Sequence, residues 1–145
     1  MADLDLVRRL AAADQGLAIV ATRRADDTIQ ASLVNAGVMT EPEAGREAVA
    51  FVARGATVKL RNLRERPRAT VVFRAGWEWV SVEGPVRIVG PDDPGGDDPD
   101  RLRVLLREVF TAAGGTHDDW DEYDRVMRED GRVAVFVTPE RITSN

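Results

Sequence analysis

The sequence contains no cysteine, a single histidine and a single lysine. Without cysteine, disulfides, thiolate metal sites and thiol nucleophiles are excluded. The lone histidine, His117, sits in a turn beside acids and has no evident serine partner, so no Ser-His-Asp arrangement can be assembled. No Gly-x-Gly-x-x-Gly or P-loop pattern is present. No apolar run approaches the ~20 residues that a membrane-spanning helix requires. The opening segment, MADLDLVRRL, lacks the basic-then-apolar order of a secretion signal. A cytoplasmic protein without membrane contact is therefore expected.

What is present suits one globular domain. The chain has 145 residues, 43% of them hydrophobic and 31% charged. Its net charge of −5 argues against a general nucleic-acid binder. Leu6, Val7, Leu10 and Ala11 recur at helical spacing and predict a helix over 4–13. Short apolar or alternating runs predict strands over 17–22, 28–40, 48–53, 69–74, 77–89 and 133–137. Helices are predicted over 58–65, 102–113 and 116–130, with Thr116 opening the last. Gly37 inside the second strand suggests a bend or a close backbone approach, and Gly84-Pro85 suggests a corner in the fifth. Strand follows strand at hairpin spacing through the first half. This order implies a mainly β protein: an antiparallel barrel with peripheral helices rather than a doubly wound sheet.

The charge is unevenly placed. From Arg54 to Arg68 stand six basic residues against the single acid Glu65, a net of +5 that leaves −10 for the rest. Lys59 lies in the first turn of the helix predicted behind Thr57. A helix N-terminus already carries about half a positive charge, so a lysine there is electrostatically misplaced. The placement makes sense where a bound anion draws on the backbone N–H groups, the helix dipole and Lys59 together. Arg61 and Arg64 could add charge and Asn62 a neutral donor; the competing reading is a solvated basic face paired to the abundant acids. Trp77 and Trp79, two residues apart at a strand start, fit either a wall for a flat ring or a core or interface pair. Asp118, Asp119, Asp121, Glu122 and Asp124 fall on several helix faces, so a solvated surface is expected and no metal site.

Several of these stretches together resemble one family. Lys59-Leu60-Arg61-Asn62-Leu63-Arg64-Glu65-Arg66-Pro67-Arg68 resembles the K-x-R-N-L-x-x-x-P-R segment of pyridoxamine-phosphate-oxidase-like split barrels. Gln30 to Gly37 is similar to the second barrel strand of their deazaflavin-dependent branch, and Trp77 to Pro85 keeps the same order. His117-Asp118-Asp119-Trp120-Asp121-Glu122-Tyr123 resembles a stretch of the branch that uses coenzyme F-420.

The resemblance implies a six-stranded antiparallel split β-barrel acting as a homodimer, with two cofactor sites at the subunit interface. It implies that Lys59, with Arg61, Asn62 or Arg64 nearby, holds the cofactor phosphate. Gln30, Ser32, Val34 and Asn35 would run along the ring system, and Val52 would lie near the phosphate side. Trp77 and Trp79 would wall the ring or the substrate pocket, from the same or the other subunit. The implied activity is hydride transfer between F-420 and a small conjugated substrate of quinone, enone or tetrapyrrole type. FMN as the cofactor is one alternative; a non-catalytic dimer that binds a cofactor or tetrapyrrole is another. No catalytic residue stands out, as expected where the cofactor carries the chemistry.

Overall fold

The computed structural model describes residues 2–145. Four helices and seven strands follow in the order α1 (Leu4–Ala13), β1 (Leu17–Arg23), β2 (Ile29–Thr40), β3 (Glu47–Ala53), α2 (Val58–Glu65), β4 (Arg68–Ala75), β5 (Glu78–Val89), α3 (Pro99–Ala112), α4 (Trp120–Glu129), β6 (Val133–Val137) and β7 (Arg141–Ser144). The strands are ordered β4-β1-β2-β3-β6-β5-β7, and the additional β4–β5 pairing closes the first six into a ring. All pairings are antiparallel. The architecture is thus the expected mainly β barrel with peripheral helices.

Two strands carry the turning points. β5 pairs with β4 as far as Pro85 and with β6 from Val86 onward, so the corner falls at Gly84-Pro85. A Cβ at Gly84 would stand 1.7 Å from the Thr138 carbonyl oxygen, a separation no side chain tolerates. On β2, a Cβ at Gly37 would lie 2.0 Å from the Ala112 carbonyl oxygen. The missing side chain lets the last turn of α3 sit directly on the strand, which later decides where the cavity wall stands.

The barrel interior is filled by inward-facing strand residues such as Val20, Phe51, Val71, Phe73, Val82 and Val135. Leu10 of α1 and Leu60 and Leu63 of α2 join them. A second cluster packs Leu102, Leu105, Leu106 and Val109 of α3 against Ala48, Ala50 and Phe136 on the outside of β3 and β6. One charged pair is drawn into this framework. The Glu41 side chain, 4% exposed after β2, accepts hydrogen bonds from Arg87 of β5 and from the Ala44 backbone N–H. Arg87 also reaches Glu43 and the Pro94 carbonyl oxygen, so it ties the β2–β3 turn to the segment after β5.

One strand is added and two helix starts move by three or more residues, while the other ends agree with the sequence expectation to within one residue. β7 is an additional strand, paired with β5 between Val80 and Glu83. α3 begins earlier, at Pro99, because Asp98 caps it by accepting from the Asp100 N–H at 3.0 Å. α4 begins later: Asp119, not Thr116, is its cap, accepting from the Glu122 N–H at 3.1 Å.

Candidate functional site

α2 starts where the sequence places it. Thr57 is the N-cap, its hydroxyl oxygen accepting from the Leu60 N–H at 3.3 Å, and Pro67 follows its end. Leu60 and Leu63 anchor one face in the barrel, which orients the remaining positions.

The basic segment then divides. Arg64 forms a fork to Asp93 at 2.7 and 3.1 Å. Arg68 pairs with Glu140 at 2.9 Å, Arg66 with Glu65 at 3.0 Å and Arg54 with Asp130 at 3.7 Å. For these four the paired, solvated reading describes the protein. Lys59 is different. Its half-buried ammonium has no carboxylate partner among the described residues and donates to the Ser32 hydroxyl oxygen at 3.2 Å. Burial lowers its pKa from the ordinary lysine value, and the neighbouring Arg132 lowers it further. Arg61 also lacks a carboxylate partner among the described residues, but it is exposed on the other side of the helix.

Lys59 lines a cavity of about 540 Å³, well within the range of small-molecule sites. Val34 and Asn35 of β2 and Val52 of β3 line it too, together with Leu17 and Leu33 from the β1–β2 pair. The opposite wall is built from Val109 and Phe110 of α3, its C-cap Ala113, and Tyr123 and Met127 of α4. The charged groups in the lining are Arg54, Lys59 and Arg132; no carboxylate lines it among the described residues. Arg54 and Arg132 share Asp130, which Arg132 reaches at 3.3 Å. A second cavity of about 710 Å³ adjoins the first, with Asn35, Phe110 and Ala113 in both linings.

The α3–α4 wall is held by aromatic packing. Phe110 packs at a tilt against Tyr123, 4.9 Å away, which lies 5.3 Å from Trp120 and 5.8 Å from His117, centroid to centroid. Arg107 pairs with Asp124 through Nε at 2.9 Å and lies 5.2 Å over the Trp120 ring. The buried Tyr123 hydroxyl donates to the Leu106 carbonyl oxygen at 3.0 Å. Burial pushes its pKa up to about 12. The folded protein therefore keeps a proton that the unfolded chain releases near pH 10, and stability falls as pH rises from about 10 toward 12. Tyr123→Phe is expected to flatten this alkaline decline, measured by urea unfolding between about pH 9 and 11. An identical slope in both proteins would assign the decline to other groups.

Of the residues singled out from the sequence, Val34, Asn35, Val52 and Lys59 line the cavity and Ser32 joins them through Lys59. The Asn35 side chain donates to the Gln15 carbonyl oxygen at 2.8 Å. Gln30 lies two residues before Ser32 on the same face of β2, opposite Thr22. Asn62 is buried and donates to Thr22 at 3.1 Å, and Arg64 is turned to Asp93; neither meets Lys59. Trp77 stands 95% exposed in the β4–β5 hairpin turn, just before the strand, and Trp79 is half-buried on β5. Neither lines the cavity of the single chain. Sequence reasoning missed Phe110, Tyr123, Met127 and Arg132. The i, i+4 apolar pair Tyr123 and Met127 in an otherwise acidic helix was the available signal; for Arg132 there was none.

Outside the cavity, the barrel shows an apolar face. Ile19 and Leu33 are cross-strand partners, 43% and 60% exposed, and Ile29 further along β2 is 60% exposed. Leu33 belongs to both the exposed face and the cavity lining.

Residues 7–143 match the family model described as pyridoxamine 5'-phosphate oxidase. The fold is similar to that of a pyridoxamine 5'-phosphate oxidase-related, FMN-binding protein from Nostoc punctiforme, with a TM-score of 0.69 at 10% identity, covering 97% of this chain and 82% of that one. It is also similar to an F-420 reductase, with a TM-score of 0.61 at 18% identity and 88% of each chain covered. A third likeness is to HutZ, the heme storage protein from Vibrio cholerae, with a TM-score of 0.59 at 11% identity, covering 99% of this chain and 94% of that one.

Proposed function

Because the chain belongs to the pyridoxamine 5'-phosphate oxidase family, we propose that it is an oxidoreductase whose cavity binds a flavin-type cofactor, coenzyme F-420, for reaction with a small conjugated substrate. One observation carries this reading: a cavity of about 540 Å³ lined by three cations and, among the described residues, by no carboxylate. A partly desolvated lysine facing only a neutral hydroxyl fits an anionic group, which would restore the solvation that burial removes.

In this reading Lys59 holds the phosphate, and Arg54 and Arg132 add positive charge for an acidic tail beyond it. Gln30, Ser32, Val34 and Asn35 flank the ring on β2, and Val52 packs near its phosphate side. Phe110, Tyr123 and Met127 close the opposite wall and exclude water. The adjoining cavity, entered past Asn35 and Phe110, offers the space for a quinone, enone or tetrapyrrole substrate. When bound, F-420 supplies the hydride chemistry; the chain supplies position, charge balance and a dry site. FMN is the second reading, favoured by the same phosphate chemistry at Lys59.

The protein is proposed to act as a homodimer. Leu33 joins the exposed apolar face to the cavity rim, so a second copy laid on Ile19, Ile29 and Leu33 would cover the cavity mouth. In that arrangement Trp77 or Trp79 of a second copy is available as a ring or substrate wall.

Titration of the purified protein with F-420 and with FMN, followed by fluorescence, tests the assignment. Saturable binding of F-420, stronger than that of FMN, is the expected result. FMN retained through purification, with no affinity for F-420, reverses the choice. Tight binding without turnover across enones and quinones would instead identify a carrier.

A further inference from the structure

Beneath Gln30 runs a chain of hydrogen bonds whose direction is set by its first member. Arg66 Nη2 lies 3.5 Å from Asn62 Oδ1, Asn62 Nδ2 lies 3.1 Å from Thr22 Oγ1, and Thr22 Oγ1 lies 3.2 Å from Gln30 Oε1. Arginine donates and never accepts. The Asn62 atom facing it is therefore the carbonyl oxygen, which turns the amide nitrogen toward Thr22. Thr22 accepts that bond, and its single hydroxyl proton is given to the Gln30 carbonyl oxygen, the atom that faces it at 3.2 Å. What remains at the end is the Gln30 amide nitrogen, a donor without a protein partner among the described residues. Thr22 and Asn62 are 2% and 3% exposed, so water does not reorient these links. Arg66 is itself fixed, its Nε donating to the Arg23 carbonyl oxygen at 2.8 Å.

The neighbouring chain has the same polarity. Lys59 also only donates, and it occupies an acceptor site of the Ser32 hydroxyl at 3.2 Å. The Ser32 proton is left to point elsewhere. Gln30, Ser32 and Val34 alternate along one face of β2, and Val34 lines the cavity. The strand thus carries two donors on the less exposed face that Val34 presents to the cavity.

We propose that Arg66, Asn62 and Thr22 are positioning residues that hold Gln30 as a donor, so that β2 selects a ring edge made of carbonyl acceptors. This deepens the cofactor reading above and rests on it. Reversing the chain would present the Gln30 carbonyl oxygen and select a donor edge such as an amino group. Arg66 decides between the two senses.

The test compares the 5'-phosphates of riboflavin and of 5-deazariboflavin with their 2-thio and 4-thio analogues, in which a carbonyl oxygen becomes a weakly accepting sulfur. Affinities are read by quenching of protein fluorescence, independent of turnover. The wild-type protein is expected to bind the better parent about tenfold tighter than at least one thio analogue, the equivalent of one net hydrogen bond. Arg66→Met and Thr22→Val are expected to reduce that ratio to within about twofold, and Thr22→Ser to preserve it. Arg66 lies at the surface end, so its variant remains readable even where Thr22→Val, which strands the buried Asn62 amide, unfolds the protein. A wild-type ratio near one, or a ratio unchanged in Arg66→Met, overturns the proposal while leaving the cofactor site standing. If neither parent binds the wild-type protein, the cofactor reading fails and takes the proposal with it.

Discussion

Lys59→Ala is expected to weaken cofactor binding by about 1–3 kcal/mol, roughly 5- to 150-fold in Kd, the range for losing one hydrogen bond to a charged group. The protein should remain folded, because the ammonium supports no other element: its protein contact is the Ser32 hydroxyl. The half-buried setting raises the expected effect above that of a surface charge, since screening by water and salt is weaker there. Arg64→Ala is the matched control. It removes a cation from the same helix, but one whose guanidinium is engaged by Asp93 on the far side. It should leave cofactor affinity nearly unchanged. Fluorescence titration of the two variants decides the matter. Equal affinities for wild type and Lys59→Ala would remove the lysine from the site, and the anion argument with it.

The largest expected effect on stability lies away from the cavity. Arg87→Met leaves the Glu41 carboxylate, 4% exposed, without its counter-charge in a low-dielectric setting. Breaking a buried ion pair from one side costs 3–5 kcal/mol; the arginine here is one-third exposed, so about 3 kcal/mol is expected. For a domain of this size that lowers Tm by roughly 6–12 °C. Adding Glu41→Gln in the same protein should recover much of the loss, because the penalty comes from the stranded charge more than from the missing attraction. Thermal and urea unfolding of the single and double variants measure both effects. A single variant within about 0.5 kcal/mol of wild type would show that the Glu41 carboxylate does not depend on the arginine for its charge compensation.

Much of the barrel was legible because its signals are local. Alternation along β4 and β5, the apolar spacing of α1, and the Thr57 cap with Pro67 behind α2 each sit within a few residues. β7 was not legible. In Arg141-Ile142-Thr143-Ser144 only one residue is apolar, and the strand exists because β5 offers it a partner. The Asp98-Pro99 start of α3 was readable as a cap followed by proline, but the surrounding Gly, Pro and Asp residues made it look like loop. At the other end, Thr116 imitates a capping residue whose role belongs to Asp119.

The site divides in the same way. Lys59 was legible because its charge is wrong for a helix N-terminus unless something opposes it. The fates of Arg64 and Asn62 were not, since their partners Asp93 and Thr22 lie 29 and 40 residues away. Phe110, Tyr123 and Arg132 reach the cavity only because α3 settles onto Gly37 and carries α4 with it through the aromatic contacts. Such convergence belongs to tertiary packing and leaves no local pattern.

The closed ring has a bearing on how the protein fails. Each of its six strands meets two neighbours at some point along its length, but residues 29–35 of β2 pair with β1 alone, and β7 adds a short outer edge of four residues led by Arg141. Fibril growth needs a longer, uncharged run of free amides to template an incoming chain. The paired seams of the ring template nothing until they open, and the uncharged run 29–35, paired on one side only, is the edge at which an incoming chain could add. Aggregation on heating should consequently follow the kinetics of unfolding only where that edge is covered, and otherwise rise with the concentration of folded protein.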